Sequence, residues 1–349
     1  MMKEGYLYKK LKDGRAQCLT CSHYCVINPQ NRGICGTREN IDGKIYSLVY
    51  KKAVAENIDP IEKKPLFHFL PGSRSLSIAA VGCPFKCSWC QNWQISQQPK
   101  PCKKVEGFDL PPEKIIQDAL RQKCQSISYT YTEPAIFLEY ALDTMKLAHK
   151  KGLKNVWVSD GYSSKEAIKL VAPYLDAINV DLKAFKEKTY QKYIGGRLKP
   201  VLINLKEFYK RKIHLEITTL LIPKLNDSES ELKQIALFIK KELGKEVPWH
   251  ISRFFPSYKM IDRPLTSIKA LEKAYQIGKK TGLKFVYLGN VVDSKKESTF
   301  CPKCSTLNIF RTGYLSILKN VKVENEKGLC SKCKEDLNLV MRGNDNRRN

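Results

Sequence analysis

The chain has 349 residues and a formal net charge of +26, from 61 Lys and Arg against 35 Asp and Glu. This length suffices for one barrel-sized domain with appendages, and a hydrophobic content of 42% excludes an intrinsically disordered protein. The first residues lack the apolar stretch of a signal peptide and no apolar run is long enough to span a bilayer, so we expect a cytoplasmic protein whose thirteen cysteines bind metals rather than form disulfides.

The first segment, residues 1–74, contains four closely spaced cysteines. These are Cys18, Cys21, Cys25 and Cys35. Four thiols at such spacings in a reducing compartment predict a closed metal site, which holds either zinc or an iron–sulfur cluster. A metal-free, redox-sensitive turn is the alternative, and His23 is expected to be a spare polar residue because four cysteines complete a site. A strand is predicted at 44–50, and an extended, proline-containing link follows it.

The core, predicted over residues 75–294, begins with a buried strand and a loop that carries three cysteines. The loop cysteines are Cys83, Cys87 and Cys90, spaced C-x3-C-x2-C. Three thiolates on one loop can bind three irons of a cubane cluster and leave the fourth iron open to a small molecule, whereas four cysteines close an electron-carrying cluster. The open iron predicts that the cluster takes part in chemistry. Cys102 is near enough to be a fourth ligand, but the Pro-Lys-Pro before it is typical of a loop, so we expect it to be a bystander.

Short apolar runs alternate with amphipathic runs along the core. Strands are predicted at 75–81, 127–131, 155–159, 177–181, 214–220, 248–253 and 284–288. Helices are predicted at 112–124, 134–150, 164–174, 200–211, 229–243 and 267–281. Ser163 and Ser228, each three residues before a Glu, are predicted to cap two of these helices. Repeated βα units require parallel strands with crossovers, so we predict an α/β fold with a partial (β/α)6 barrel of the TIM type.

Polar residues collect where the predicted strands end. They are Thr132 and Glu133 after the second strand, Ser159 and Asp160 after the third, Asp181 and Lys183 after the fourth, and His250 within the sixth. Taken singly, each has a structural explanation, such as a helix-terminal carboxylate, a turn residue, a local ion pair or a buried histidine. Because ligands bind beyond the carboxyl ends of parallel strands in such folds, the set together predicts a binding site at the barrel mouth.

The last segment, residues 295–349, carries two C-x2-C pairs. Cys301 and Cys304 are separated from Cys330 and Cys333 by 25 residues. This spacing is typical of a zinc ribbon, in which four thiolates hold one structural zinc ion in a closed tetrahedron. Short strands are predicted at 309–314 and 321–323, and the polar residues 342–349 are predicted to be disordered.

The cysteine loop, with Trp89 before its third cysteine and Asn92 after it, resembles the signature of the radical S-adenosylmethionine (SAM) superfamily. A longer pattern is similar to the pyruvate formate-lyase activating enzyme-like group and, more narrowly, to the radical SAM enzymes of the AmmeMemoRadiSam system. That pattern comprises the N-terminal cysteines, residues 65–72, 131–134 and 248–250, and the terminal C-x2-C pairs.

The resemblance implies that Cys83, Cys87 and Cys90 form the catalytic centre by holding a [4Fe-4S] cluster, whose open iron is chelated by SAM. One electron, from a donor such as ferredoxin or flavodoxin, then cleaves SAM and yields a 5′-deoxyadenosyl radical that abstracts hydrogen from a substrate. Glu133 matches a glutamate that meets the SAM amino group, although Tyr131 and Thr132 replace the usual two glycines.

Further SAM-binding residues follow from the same resemblance. Asp181 and Lys183 match an Asp-Leu-Lys motif around SAM, and His250 matches a histidine near the ribose. Ser159 and Asp160, at the third strand end, are additional candidates. The barrel itself is expected to position the cofactors and to keep out water.

Two classes of function fit these patterns. One is an enzyme that makes a glycyl radical on a partner protein or modifies another protein, an RNA or a metabolite. Glycyl-radical activases often have extra ferredoxin-like cysteines between the loop and the second strand, where this chain has only Cys102 and Cys124. The other class is a non-catalytic nucleic-acid-binding module, which the net charge and the zinc ribbon favour, although the lysines are scattered and no aromatic pattern of RNA binding is present. No membrane partner is expected.

Overall fold

The computed structural model describes residues 2–102 and 104–342 of the chain. The predictions for the side chain of Cys102 and for the tail beyond Arg342 lie outside the described part.

Small antiparallel sheets form the N-terminal part of the protein. Their strands are β1 (Lys3–Glu4), β2 (Tyr8–Lys10), β3 (Ala16–Cys18), β4 (Val26–Ile27), β5 (Arg38–Ile41) and β6 (Lys44–Ser47). One sheet has the order β1-β6-β5 and the other the order β2-β3-β4. Ala16, Ile27 and Ile45 are buried together between them, so this part has a small core of its own.

A larger sheet forms the centre of the molecule. The strands that follow along the chain are β7 (Lys52–Ala53), β8 (Ala55–Pro60), β9 (Arg74–Ala79), β10 (Phe108–Asp109), β11 (Ser126–Tyr129), β12 (Lys154–Ser159), β13 (Ala177–Asp181), β14 (His214–Leu221), β15 (Trp249–Arg253) and β16 (Val286–Gly289). In the described part of the chain, eight of them form one sheet in the order β16-β15-β14-β13-β12-β11-β9-β8, while β7 pairs with β10. All neighbours in the large sheet are parallel except β8, which is antiparallel to β9.

The α-helices cover this sheet and connect its strands. They are α1 (Trp93–Gln97), α2 (Pro99–Cys102), α3 (Pro112–Arg121), α4 (Leu138–Lys150), α5 (Lys165–Val171), α6 (Glu187–Thr189), α7 (Leu198–Lys210), α8 (Glu229–Phe238), α9 (Ile268–Thr281) and α10 (Ser294–Glu297). Single 3₁₀ turns lie at Ile61–Lys63, Pro134–Phe137 and Ala172–Tyr174, and π-helical turns at Tyr190–Ile194 and Ile239–Leu243. Within residues 2–102 and 104–342, no helix has both the length and the apolar character needed to cross a membrane.

The predicted α/β fold with a parallel sheet is confirmed. The parallel strands are buried on both faces, as Trp157 on β12, Ile178 on β13 and Ile251 on β15 illustrate. Such burial explains why these strands appear in the sequence as nearly continuous apolar runs. The open order of the sheet corresponds to a partial barrel, with β16 at one edge and the antiparallel β8 at the other.

Three details differ from the sequence predictions. The Pro-Lys-Pro segment before Cys102, predicted to be a loop, lies in the short helix α2. The strand β8 belongs to the large sheet, although residues 55–60 were predicted to be part of an N-terminal link. The predicted cap Ser163 is wrong by one residue, because it is Ser164 whose Oγ accepts a bond from Ala167 N at 2.9 Å. Ser163 instead forms a backbone bridge with Cys21 of the N-terminal part. The predicted cap Ser228 is confirmed.

Further antiparallel sheets form the C-terminal part. Their strands are β17 (Thr299–Phe300), β18 (Leu307–Thr312), β19 (Leu315–Leu318), β20 (Val321–Glu324), β21 (Lys327–Cys330) and β22 (Asp336–Val340). The segment between β8 and β9 holds them against the core. The backbone of Leu70 donates to Val340 O at 2.8 Å, and the buried Arg311 donates to Phe67 O at 2.6 Å.

Candidate active site

The three-cysteine loop lies at the carboxyl edge of the sheet, directly after β9. Cys83 and Cys87 are buried, and Cys90 is partly exposed. The loop begins at Gly82, whose φ of +99° lies in the left-handed region that favours glycine. A Cβ atom at Gly82 would lie only 2.5 Å from Cγ2 of Thr37 in the N-terminal part. The loop therefore approaches the N-terminal part this closely because its first residue is glycine.

A cavity of about 520 Å³ opens over this loop. Its wall includes the three loop cysteines and most of the predicted cofactor-binding residues, namely Trp89, Asn92, Thr132, Ser159, Asp160, Asp181 and Lys183. The parallel register of β9, β11, β12 and β13 brings these residues together, because all four strands end at the same edge of the sheet. The volume is within the range of small-molecule and cofactor sites.

An ion-pair network centred on the buried Lys183 lines this cavity. The amino group of Lys183 lies 2.9 Å from Asp160 Oδ1 and 2.7 Å from Asp181 Oδ2. Burial alone would lower the pKa of Lys183, but the charges of Asp160 and Asp181 outweigh it and raise this pKa well above its ordinary value. The thiol of Cys83 donates to Asp160 Oδ2 at 3.3 Å. The network thus places one fixed cation and two carboxylates beside the cysteine loop.

Glu133 is not on the cavity wall, unlike its neighbour Thr132. Its carboxylate is buried behind the wall, where it accepts bonds from Ser159 Oγ at 3.0 Å and from the backbone N–H of Asp160 at 2.7 Å. Burial, followed by the nearby charge of Asp160, raises the pKa of Glu133 to about 8. Its contacts make Glu133 a residue that positions the turn at Ser159 and Asp160.

His250 is also separate from this cavity. Its Nε2 lies 2.7 Å from Glu216 Oε2, and its ring stacks on Tyr287 with the ring centroids 5.3 Å apart. Burial would raise the pKa of Glu216, but the bonds from His214 and His250 hold it well below its ordinary value. His250 lines a second cavity of about 510 Å³. The two cavities share a rim formed by Lys63, Pro65, Ser252, Asn290 and Tyr314.

The four C-terminal cysteines converge on a single point. The Sγ atoms of Cys301 and Cys333 are 3.4 Å apart, and those of Cys304 and Cys330 are 3.7 Å apart. One zinc ion with Zn–S bonds of about 2.3 Å separates tetrahedral thiolates by roughly 3.8 Å. The C-terminal cysteines therefore have the geometry of a site for one tetrahedral ion.

The four N-terminal cysteines surround a small closed cavity. Cys18, Cys21, Cys25 and Cys35 all contribute to its wall. The predicted grouping of these residues thus agrees with their positions in the fold. His23 lines the same cavity, and its Nε2 lies 3.0 Å from the carbonyl oxygen of Pro84 in the three-cysteine loop.

Comparison with known proteins decides the family. A model described as the radical SAM superfamily matches residues 77–237. An uncharacterized protein of Methanocaldococcus jannaschii is 41% identical over 340 residues, which cover 97% of this chain and 100% of that protein. The chain belongs to the radical SAM superfamily. Its membership in the AmmeMemoRadiSam group stays a prediction.

More distant relatives of this radical SAM protein include enzymes of known activity. The pyruvate formate-lyase-activating enzyme of Clostridium pasteurianum is 22% identical over 214 residues, which cover 58% of this chain and 87% of that enzyme. Separately from these sequence relatives, the solved structure of a radical SAM methyltransferase from Sphaerobacter thermophilus matches with a TM-score of 0.49 and 13% identity, with 63% of this chain and 67% of that chain covered. The radical SAM domain and the activating-enzyme relatives support an enzyme, and the alternative of a non-catalytic nucleic-acid module is not favoured.

Membership in the radical SAM superfamily implies a [4Fe-4S] cluster and SAM, and the loop residues fit the cluster. Burial raises the pKa of the thiols of Cys83, Cys87 and Cys90, so these side chains need bound cations to become thiolates. Among the described residues, the C-terminal cysteines are the one group of three or more ligands whose donor atoms all lie within 4.8 Å. The loop thiols are wider apart, as expected where each binds a different iron.

Some residues of the site carried no signal in the sequence of this radical SAM enzyme. Lys64 reaches the cavity from the segment before β9 and donates to Asp59 Oδ2 at 2.6 Å. Burial, opposed by Asp59, lowers the pKa of Lys64 to about 8. The hydroxyl of Tyr131 also donates to Asp59, and its ring lies 4.7 Å from Lys64 Nζ. Tyr314 comes from the turn between β18 and β19, and no periodic pattern marks these positions.

Proposed function

We propose that this enzyme binds SAM in the cavity over the cysteine loop and abstracts hydrogen from a substrate held in the adjoining second cavity. The observation that carries the proposal is the common wall formed by the three loop cysteines and the Asp160–Lys183–Asp181 network. When bound, the cluster and SAM together supply a 5′-deoxyadenosyl radical for this abstraction. The joined cavities support the proposal because a radical must be formed within reach of its substrate and away from water.

The chain's own residues are suited to orient SAM. The ammonium of Lys183 offers a partner for the SAM carboxylate, and Asp160 and Asp181 offer acceptors for its amino group or its ribose hydroxyls. Glu133 acts through Asp160, which it holds by a bond to the backbone. Asn92 donates to the carbonyl of Tyr131 at 2.9 Å and so joins the end of the loop to the opposite wall.

For the second cavity, we propose a protein substrate, as the activating-enzyme relatives suggest. Phe255 and Val292 line this cavity and are 42% and 89% exposed, so apolar side chains are accessible at its mouth. Exposed apolar side chains at a cavity mouth are typical of surfaces that bind another molecule. The net charge of +26 favours an acidic partner, and a ferredoxin or flavodoxin is the proposed electron donor. Zinc is the proposed ion of the C-terminal cysteines.

Cleavage of SAM by a Cys87→Ala variant tests the proposal. After anaerobic reconstitution and reduction with dithionite, the wild type is expected to release 5′-deoxyadenosine and the variant to release none, because one cluster ligand is lost. Cys124→Ala is the matched control, since Cys124 is a buried cysteine outside all three cysteine sets and is expected to leave cleavage intact.

Formation of 5′-deoxyadenosine by Cys87→Ala at the wild-type rate would contradict the proposal. With the wild type, deuterium transfer from a labelled protein into 5′-deoxyadenosine is expected to identify the substrate. Transfer from a labelled metabolite or RNA, but from no protein, would exclude the protein substrate. Steeply salt-dependent RNA binding without any cleavage of SAM would instead indicate the nucleic-acid module.

A further inference from the structure

The N-terminal cysteine cavity lies next to the three-cysteine loop. His23, which lies between Cys21 and Cys25, is bonded through Nε2 to the carbonyl of Pro84 at 3.0 Å. On the other side, a Cβ atom at Gly82 would lie 2.9 Å from the carbonyl oxygen of Cys35. Gly82 and Pro84, which flank Cys83, thus lie against Cys35 and His23 of the N-terminal part. His23 is itself two residues from both Cys21 and Cys25. The two thiol sets are neighbours in space, although 47 residues separate Cys35 from Cys83 in the sequence.

The distances between thiols divide the three cysteine sets into one closely spaced set, at the C-terminus, and two wider sets. Two thiolates on one zinc ion cannot be farther apart than about 4.6 Å, twice the Zn–S bond length. Within the described ranges, the C-terminal set is the one group of at least three ligands whose donor atoms are all within 4.8 Å of one another. The N-terminal set surrounds one cavity but, like the loop set, does not meet this limit. In an iron–sulfur cluster each thiolate binds its own iron, so wider spacing is expected there.

The surroundings of the N-terminal thiols are those of a redox centre. Thr37 Oγ1 donates to the sulfur of Cys35 at 3.3 Å, and the thiol of Cys18 lies 3.3 Å from Thr20 Oγ1. Arg38 lines the same cavity and is buried in an ion pair with Glu139 at 2.7 Å. Hydrogen bonds to cluster sulfurs, burial and nearby charge all set the reduction potential of an iron–sulfur cluster.

A partly buried lysine lies beside the three-cysteine loop and near the N-terminal cysteines. Lys100 donates to the carbonyl of Phe85 in the three-cysteine loop at 2.7 Å. Lys100 also lines the same surface groove as His23 and Ile34, which lie next to Cys25 and Cys35 of the N-terminal set in the sequence or within two residues of them. A cation at this position stabilises the added negative charge of a reduced cluster on either side.

We propose that Cys18, Cys21, Cys25 and Cys35 hold a closed iron–sulfur cluster that passes single electrons to the cluster of the three-cysteine loop. This proposal rests on the proposed function for its electron acceptor. A low-potential one-electron carrier protein, of the iron–sulfur or flavin class, is oxidised by one electron and reduces the N-terminal cluster. That cluster is reoxidised as the loop cluster is reduced, and no atom is transferred.

Metal analysis and electron paramagnetic resonance of the anaerobically reconstituted full chain test the metal assignment. The wild type is expected to contain about eight irons and eight sulfides, for two four-iron clusters, and to show spin–spin broadening when both clusters are reduced. Cys18→Ser/Cys35→Ser is expected to retain about four irons and an unbroadened spectrum of the loop cluster. Zinc in the N-terminal site, with the iron content of the double variant unchanged, would overturn the assignment.

Two electron sources test the relay. With dithionite, the double variant is expected to cleave SAM as the wild type does, whereas with a reduced flavodoxin its cleavage is expected to be lost. Equal cleavage with flavodoxin in both proteins would overturn the relay while leaving the proposed function intact. Failure of both proteins to cleave SAM with dithionite, with both clusters present, would contradict the proposed function instead.

Lys100→Met provides a test that does not depend on removing ligands. Loss of this partly buried cation is expected to lower the reduction potentials of both clusters while the iron content stays at the wild-type value. Lys259→Met is the matched control, because Lys259 lines the same surface groove as Lys100. A change in the reduction potential of the loop cluster alone would contradict the proposal that Lys100 acts on both clusters. Equal changes of potential in the two variants would also contradict it.

Discussion

At the scale of single residues, Glu133 and His250 both lie off the wall of the cavity over the cysteine loop, although the motifs predict that they bind SAM. Glu133 occupies the predicted position after β11, yet the left-handed φ of +63° at Tyr131 and the bond from Thr132 Oγ1 to Ala80 O shape the turn before it. Its carboxylate consequently faces Ser159 and the backbone of Asp160. Its contact with SAM, like that of His250, stays a prediction.

The raised pKa of Glu133 predicts a pH-dependent effect on stability. In the folded, cofactor-free chain this pKa is about 8, against an ordinary 4.5, so the folded state binds a proton more tightly than the unfolded state. The resulting stabilisation is present below pH 4.5 and is lost as the pH rises through 8. The neutral variant Glu133→Gln is therefore expected to gain stability relative to the wild type as the pH rises through this window.

Urea unfolding of the apoprotein from pH 5 to 9 measures this difference. Glu113→Gln, on the exposed face of α3, is the control and is expected to differ from the wild type by a constant amount. A difference between Glu133→Gln and the wild type that does not vary with pH would contradict the raised pKa.

At the scale of elements, the strands and helices of the core were predictable because their burial is two-sided or periodic. The strands β9 and β11 to β16 and the helices α3 to α5 and α7 to α9 all lie where the apolar patterns predict them. The strand β8 was missed because it is an edge strand with mixed polarity, Ala-Glu-Asn-Ile-Asp-Pro, and pairs on one side only. The cap at Ser164 was missed because Ser163 offers the same side chain one position earlier.

The turn after β9 makes a prediction at this scale. Gly82→Ala is expected to cost about 1–2 kcal/mol for the left-handed backbone, with a further loss from the contacts of the new Cβ with Thr37 and Cys35. Gly152→Ala isolates the backbone contribution, since Gly152 has a φ of +71° and no atom within 4 Å of its would-be Cβ. Urea unfolding of the apoproteins measures both free energies.

Gly82 precedes Cys83 and packs against Thr37 and Cys35. Gly82→Ala is therefore also expected to reduce the iron content after reconstitution, whereas Gly152→Ala is expected to leave it unchanged. Equal losses of stability in the two variants would show that the contact between the loop and the N-terminal part is not tight.

At the scale of the whole molecule, the segment between β8 and β9 connects the cavity over the three-cysteine loop with the C-terminal sheets. Lys63 and Lys64 enter the cavity over the loop, and Phe67 and Leu70 bind the C-terminal sheets. The hydroxyl of Ser316 also donates to Glu62 at 2.6 Å. These contacts place Tyr314 at the rim shared by the two cavities, so the C-terminal part completes the mouth of the site.

Removal of the ion bound by the C-terminal cysteines tests whether this metal site is independent of the iron–sulfur cluster. Cys330→Ser is expected to lose the bound zinc and to lower the thermal midpoint, because Cys330 is fully buried in the small core of the C-terminal sheets. Iron content and cluster absorbance are expected to stay at the wild-type values. Lys332→Ser, a non-ligand within the same C-x2-C pair, is the control. Loss of cluster absorbance in Cys330→Ser would contradict separate metal sites.

The sequence by itself determined the three cysteine sets, the α/β core and the polar strand ends, because ligand spacing and apolar periodicity are local properties of the chain. The tertiary structure decided which of these features meet. Packing across long sequence separations brought Cys35 against Gly82 and turned Glu133 behind the cavity wall. It also placed Lys64 on that wall and Tyr314 at the rim. Such contacts depend on how whole elements pack, which no local pattern encodes. The same packing brings the N-terminal thiols close to the loop thiols. The cysteine spacings in the sequence do not predict this proximity.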